Sequence, residues 1–153
     1  MLHIHFPTAE LTQRLTKAQH ALDQQRAPLH AQLATRLLAL AHANYADKSQ
    51  RGGGADGVRW KPLANSTLAR RSGKGTSRGS GSRIGIVTGR QRAAAFVDVN
   101  DSSLSLGYDC PYSSYFDQER PLIPDPFPTT WLTELEPIVQ HWAESLLTTS
   151  LYM

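Results

Sequence analysis

Residues 28–45 read PLHAQLATRLLALAHANY, and the spacing of their leucines decides the helical part of the fold. The leucines recur every three or four residues, which is the period of one face of an α-helix. They are Leu29, Leu33, Leu37 and Leu40. Pro28 has no N–H to donate to the preceding turn, and its ring suits the first turn of a helix. The stretch therefore predicts a helix that starts at Pro28 and buries its leucine stripe.

A second stripe lies upstream of Pro28. Its members, at spacings of four, three and four residues, are Leu11, Leu15, Ala18 and Leu22. Thr8 can cap the first turn, because its hydroxyl accepts a hydrogen bond from a free amide. Since Pro28 interrupts the helical hydrogen bonding, we expect this helix to end near Arg26. The sequence thus predicts two N-terminal helices.

The second half of the chain predicts strands and one more helix. Short apolar runs at 84–87, 93–99 and 104–108 are separated by polar turn residues, a pattern typical of an antiparallel meander. Leu2, Ile4 and Phe6 alternate with polar residues and would supply a fourth strand. Four prolines between 121 and 128 predict an extended surface crossing. A helix over about 130–147, kinked at Pro137, completes a single α+β domain of residues 1–153.

Composition limits the class of protein. The chain has 153 residues, of which 40% are apolar and 19% are charged, which suits one globular domain. No apolar run approaches the roughly 18 residues of a membrane span, so we expect no membrane partner. The first seven residues lack the features of a signal peptide. Cys110 is the single cysteine, which excludes an internal disulfide.

The net charge of +3 hides a strong division along the chain. Residues 48–92 contain eleven Lys and Arg and one acid, a net +10. Residues 93–153 contain one base and nine acids, a net −8, and the first 47 residues contribute +1. Ten of the eleven glycines lie between Gly52 and Gly89. Glycine and charge together predict a flexible basic loop over 46–82.

An apolar island interrupts this loop at Trp60-Lys61-Pro62-Leu63, followed by Thr67 and Leu68. A tryptophan and leucines within a polar tract are expected to dock on the core. Residues 66–71 could form a short helix, with Asn65 or Ser66 as its cap.

No catalytic or metal-binding motif in the sequence has both the residues and the context that its chemistry requires. Ser77 lies in a G-x-S-x-G pattern but lacks the strand and helix that a nucleophile elbow requires. Gly73-Lys74-Gly75-Thr76 departs from a phosphate-binding loop, because Gly75 follows the lysine where Ser or Thr belongs. His3 and His5 have no carboxylate or cysteine nearby in sequence to complete a metal site. We therefore expect no enzyme activity, no cofactor and no small-molecule substrate.

The basic tract admits three interpretations, of which the simplest is that its charge only keeps the chain soluble. It could meet the acidic C-terminal third of a neighbouring copy or another protein subunit, which suits head-to-tail assembly. Alternatively, the chain is a DNA-binding accessory protein that uses residues 48–92 to contact phosphates without reading sequence. Under either of the last two interpretations the contacting residues are Arg70, Arg71, Lys74, Arg78 and Arg83.

The order of short motifs resembles the virion morphogenesis, or tail completion, proteins of Mu-like and related tailed phages. The matching positions in this chain are Trp60, Pro62, Leu63, Thr67, Thr88, Gly89, Tyr112, Tyr115, Arg120 and Pro121. The W-x-P-L-x-x-x-T element that starts at Trp60 is the most specific of these motifs. After Gly89 the chain reads Arg90-Gln91-Arg92, whereas the family has a leucine in this turn.

The resemblance implies a small α+β subunit without catalysis. Such a subunit forms a ring, expected to be a hexamer, at the neck or tail top of the virion, after assembly in the host cytoplasm. Its expected partners are further copies of itself and the neighbouring adaptor and tail proteins, with possible nonspecific contact to DNA.

Overall fold

The computed structural model describes residues 8–72, 90–100 and 102–151. In chain order the elements are α1 (Thr8–Ser49), α2 (Asn65–Ser72), α3 (Arg90–Ala93), β1 (Ala95–Val99), β2 (Leu104–Tyr108), α4 (Ser113–Glu119) and α5 (Thr129–Leu151). The architecture is α+β, with two long helices beside a small antiparallel sheet.

The prediction of two N-terminal helices is wrong, because α1 runs without a break through Pro28. Proline removes one helical hydrogen bond and crowds the carbonyls of the preceding turn. Here the indole Nε1 of Trp142, on α5, donates to the carbonyl oxygen of Gln25 over 3.0 Å. Pro28 itself is exposed, so water can reach the other carbonyls of that turn. The hydrogen bond from Trp142 thus ties the turn before Pro28 to α5.

Helix α5 packs along α1, and the two helices run antiparallel. Trp131 at its start is 3% exposed and packs in one cluster with Leu37 and Ala41 of α1. Further along, the Arg36 guanidinium pairs with the Glu134 carboxylate. Helix α5 continues through Pro137 from Thr129 to Leu151, longer than the predicted 130–147.

The described residues contain two strands, fewer than the three or four predicted. β1 and β2 pair antiparallel with Ala95 opposite Tyr108 and Val99 opposite Leu104. The strand predicted over 93–99 begins two residues late, at Ala95, because Arg90–Ala93 forms a helical turn instead. The other predicted strands, at 2–6 and 84–87, lie outside the described residues. A Cβ at Gly107 in β2 would come within 2.6 Å of the Phe96 ring, so a side chain there would displace that ring.

The prolines at 121–128 do exclude helix and strand, as predicted, but this segment is not a surface crossing. Leu122 is 3% exposed, and Pro124 and Pro128 are also buried. Leu122, Pro124 and Pro128 therefore close the core, while Pro121, Asp125, Pro126 and Phe127 are exposed.

The loop predicted over 46–82 is replaced by defined structure as far as residue 72. Residues 46–49 finish α1, and α2 forms where a short helix was expected. Residues 52–56 are held by side chains of α1, as described below. The remainder of the predicted loop, from residue 73, lies outside the described residues.

Candidate functional site

Trp60, the centre of the family-like element, lies in the core of the described protein with 3% of its surface exposed. Its ring meets Tyr45 edge-on at 5.1 Å and Phe116 edge-on at 5.4 Å, measured between ring centroids. Leu63 packs against the same cluster, together with Leu122. Edge-to-face aromatic pairs are favourable beyond their buried area, so Trp60 anchors its segment to α1 and α4.

A hydrogen bond ties this anchor to the second family-like element. The Trp60 indole N–H donates to the carbonyl oxygen of Pro121 over 2.9 Å. The Asp117 carboxylate accepts a 2.6 Å hydrogen bond from the backbone N–H of Leu122. The Arg120 guanidinium lies 5.8 Å from the centre of the Phe116 ring, within reach of a cation–π contact. Two motif segments that lie far apart in sequence therefore form one packed unit.

The remaining described motif residues are closer to the surface. Tyr112 and Tyr115 flank the start of α4 with 43% and 73% of their surfaces exposed. Pro62 is exposed, and Thr67 is partly buried in α2. The tyrosines thus lie beside the Trp60 unit and do not complete its core.

The side chains of the five predicted basic residues all lie outside the part of the chain that the structure describes. Arg70 and Arg71 lie in α2, but their side chains are outside the described part. Lys74, Arg78, Arg83, Thr88 and Gly89 all fall in the gap between residues 72 and 90.

A buried ion pair, which the sequence pattern did not predict, lies beneath the glycine-rich segment. The Lys48 ammonium is fully buried and lies 2.7 Å from the carboxylate of Asp56. Lys48 therefore does not belong to the exposed basic tract to which its sequence position assigned it. The available signal was local: Asp56 is the single acid among the eleven bases of residues 48–92.

Polar side chains of α1 add two hydrogen bonds to this ion pair. Asp47 Oδ2 accepts a hydrogen bond from Gly54 N over 2.7 Å, and Asn44 Oδ1 accepts one from Ala55 N over 2.8 Å. Gly54 has φ +63°, a conformation that a side chain disfavours. The turn is thus held against α1 by one ion pair and two side-chain hydrogen bonds.

Two tyrosines belong to this aromatic cluster: Tyr45 lies in it, and Tyr108 packs against it. Burial, with a smaller contribution from the Asp117 carboxylate, raises the pKa of Tyr108 to about 12. Burial likewise raises the pKa of Tyr45. Both phenols are therefore neutral near pH 7 and contribute packing, not charge.

A shallow groove of about 420 Å³ lies on the outer face of α1. It is lined by Ala31, Gln32, Thr35, Arg36 and Ala39. These side chains offer no paired acid and base and no activated nucleophile. Among the residues that the structure describes, no group of three His, Cys, Asp or Glu is arranged to hold a metal ion. In the same ranges no helix is both long and apolar enough to cross a membrane.

Comparison with known proteins identifies no relative: no protein-family model matches the chain, and neither a curated protein nor a solved structure matches it.

Proposed function

We propose that this chain is a structural subunit of the head–tail junction of a tailed phage, where it forms a ring at the neck or tail top. The proposal rests on the family-like motifs and on one observation that supports them. Trp60 from the W-x-P-L-x-x-x-T element and Pro121 from the arginine–proline element are joined by a direct hydrogen bond. Two motifs that contact each other in the fold are stronger support for the resemblance than two short matches with no contact between them.

The surface beside this unit suits contact with other proteins. Tyr112 and Tyr115 expose aromatic rings next to the buried anchor. Tyrosine is enriched at protein interfaces, because it buries a large area and carries a polar hydroxyl. The division of charge between residues 48–92 and 93–153 adds electrostatic complementarity between copies or neighbours.

The DNA-binding alternative is supported by exposed arginines in the described part of the basic tract. Arg51, Arg59 and Arg92 are all exposed, whereas Lys48 is buried against Asp56. Titration of the isolated protein with duplex DNA at rising salt separates the two functions. Binding that weakens steeply with salt favours the DNA-binding function, and no binding at low salt removes it.

Localisation in the particle tests the junction proposal directly. A tagged copy of the chain, supplied to the parent phage, is expected in purified virions, with gold label at the neck in electron micrographs. Label on the capsid faces or the tail fibres, or absence of the protein from virions, would reject the proposal.

A tyrosine variant and a control variant at the same helix test whether this surface takes part in assembly. Tyr112→Ser/Tyr115→Ser should fold normally, because both rings are exposed, but should fail to complement assembly. Gln118→Ala, an exposed change on the same helix, should complement fully. Full complementation by the tyrosine variant would exclude this surface from the junction.

A further inference from the structure

The side chain of Gln91 joins α3 to α4 and positions the surface around them. Gln91 is 2% exposed, and its Nε2 donates a 2.8 Å hydrogen bond to the hydroxyl of Ser113. Successive residues of a helical turn point about 100° apart, so Arg90 and Arg92 leave α3 on either side of this buried side chain. Both arginines are exposed. They are therefore held beside the start of α4.

Two tyrosines expose their rings at the same place. Tyr112 directly precedes α4 and Tyr115 lies in its first turn, with 43% and 73% of their surfaces exposed. A hydrogen bond with the Cys110 side chain raises the pKa of Tyr112, and the charge of Arg90 opposes that rise, so Arg90 lies close to this tyrosine. We call Arg90, Arg92, Tyr112 and Tyr115 the Arg–Tyr patch. Tyrosine and arginine are enriched among the residues that supply most of the binding energy in protein interfaces.

Helix α5 presents a second surface, on a side that α1 does not cover. Leu132, Glu136 and Val139 follow one another at intervals of four and three, so they lie along one side of the helix. Leu132 and Val139 are 53% and 42% exposed. The Glu136 carboxylate is exposed between them and accepts a 3.2 Å hydrogen bond from the neutral side chain of Gln140. We call Leu132, Glu136 and Val139 the α5 outer face.

The two surfaces are complementary in shape of side chain and in charge. The Arg–Tyr patch offers aromatic rings flanked by guanidinium groups, and the α5 outer face offers two aliphatic side chains around one carboxylate. Guanidinium and carboxylate groups form directional, often bidentate hydrogen bonds, which fix how two partners are oriented. Apolar contacts around such a pair exclude water from it. Residues 48–92 carry a net +10 and residues 93–153 a net −8, so the attraction between two copies extends beyond this one pair.

A nucleic acid fits the Arg–Tyr patch less well than a protein does. Single strands bind where stacking aromatic rings lie in a continuous positive groove. Here two exposed acids lie beside the tyrosines: Asp109 directly precedes Cys110, and Glu119 follows Tyr115 by one helical turn. These carboxylates repel a chain of phosphates, whereas a surface that presents a single carboxylate can approach the arginines.

We propose that copies of this chain bind head to tail, with the Arg–Tyr patch of one copy on the α5 outer face of the next. Both surfaces are exposed within one copy, and they lie on different elements. A contact between two different surfaces leaves one of each unoccupied in a pair, so copies continue to add until they close a ring. The inference rests on the ring of the proposed function and names the surfaces that form it.

Analytical ultracentrifugation of the full chain tests this pairing. At about 50 µM the wild type should contain species larger than a dimer of its 16.9 kDa chain. Arg92→Glu/Tyr115→Ser alters the Arg–Tyr patch, and Leu132→Gln/Glu136→Lys alters the α5 outer face. Each variant alone should associate at least about 100-fold more weakly and sediment as a monomer, because a charge is reversed and an apolar contact is lost.

A mixture of the two variants distinguishes head-to-tail contact from any other. One intact patch then meets one intact outer face, while the two remaining surfaces are altered. An equimolar mixture should therefore form a heterodimer and nothing larger. A mixture that stays monomeric overturns the proposal, and so does a wild type that stops at a dimer, since a two-fold contact uses the same surface on both copies.

Matched controls reverse exposed charges elsewhere. Arg51→Glu and Glu144→Lys should assemble like the wild type, and circular dichroism should show equal helix content in every variant. A wild type that is monomeric at about 50 µM overturns the pairing. If that monomer binds an oligothymidylate strand and Tyr115→Ser abolishes the binding, the patch belongs to a nucleic acid. The virion label decides the junction function separately, because a chain found at the neck but monomeric in solution would refute only the pairing.

Discussion

The indole N–H of Trp60 donates a 2.9 Å hydrogen bond to the carbonyl oxygen of Pro121, 61 residues further along the chain. Through this bond the segment after α1 is fastened to the proline-rich segment before α5. The aromatic contacts of Trp60 with Tyr45 and Phe116 fasten the same point to α1 and α4. One side chain thus links four parts of the fold.

Trp60→Phe should lower the free energy of unfolding by about 1–3 kcal/mol, because it removes the hydrogen bond to the Pro121 carbonyl and replaces a buried side chain by a smaller one. Trp60→Ala should lower it by about 3–5 kcal/mol, since a cavity is added. Urea unfolding monitored by circular dichroism measures both losses. Trp142→Phe is the control. It also removes an indole–carbonyl hydrogen bond, but at a partly buried site where α5 packs on α1. Equal losses for Trp60→Phe and Trp142→Phe would contradict the anchoring role of Trp60.

Lys48→Met should destabilise the protein by about 3–5 kcal/mol, because the Asp56 carboxylate then loses its partner while only 13% of its side chain is exposed. Adding Asp56→Asn should recover most of this loss, since no uncompensated charge remains. Thermal and urea unfolding of the single and double variants measure the coupling.

A surface ion pair supplies the comparison for Lys48. Lys61 lies 3.3 Å from Glu119, with 74% and 51% of the two side chains exposed. Lys61→Met should cost less than about 1 kcal/mol. A loss as small for Lys48→Met would show that the buried pair does not hold the turn.

Gly54→Ala should be more damaging than Gly57→Ala, although both glycines have positive φ. A Cβ on Gly54 would meet the Lys48 side chain and come within 2.5 Å of Asn44 Oδ1, whereas one on Gly57 would meet nothing within 4 Å. We expect about 1 kcal/mol of backbone strain at Gly57 and a further 1–3 kcal/mol at Gly54 from overpacking. The two midpoints of urea unfolding give this difference directly, and equal midpoints would argue against a close-packed turn.

Alkaline pH should destabilise the protein, in part through Tyr108. Its pKa is about 12 in the folded state and near 10 in the unfolded chain, so the unfolded state releases its proton first. Stability is therefore retained below pH 10 and falls as the pH rises toward 12. Tyr108→Phe should reduce this fall and leave stability near pH 7 unchanged or slightly higher, because the buried hydroxyl has no partner among the described residues. The exposed Tyr115→Phe should keep the wild-type pH profile, and an identical profile for Tyr108→Phe would refute the assignment.

Local sequence patterns predicted the elements whose signals are local. The helical period predicted α5 and the two stripes that lie within the single helix α1, and the isolated Trp60 predicted that its segment docks on the core. The break at Pro28 was predicted wrongly, because that prediction considers only the proline backbone. The Trp142 side chain that contacts the preceding turn lies far along the chain. The buried charge of Lys48 was equally hidden, since lysine is normally exposed unless a partner lies beside it.

The candidate site was predicted less completely than the fold. The motif positions named Trp60 and Pro121 separately, but a pattern of single residues cannot show that one donates a hydrogen bond to the other. Tyr45 carried no family motif: the helical period allowed either Asn44 or Tyr45 at the end of the stripe, and its contacts with Trp60 and Leu122 come from segments far along the chain.

If the chain belongs to a tailed phage as proposed, deletion of its gene, followed by electron microscopy of the lysate, tests the central claim most directly. A head–tail junction subunit predicts DNA-filled heads beside complete but unattached tails, with normal particles restored by the wild-type chain in trans. Normal, infectious virions from the deletion mutant would contradict the proposed function.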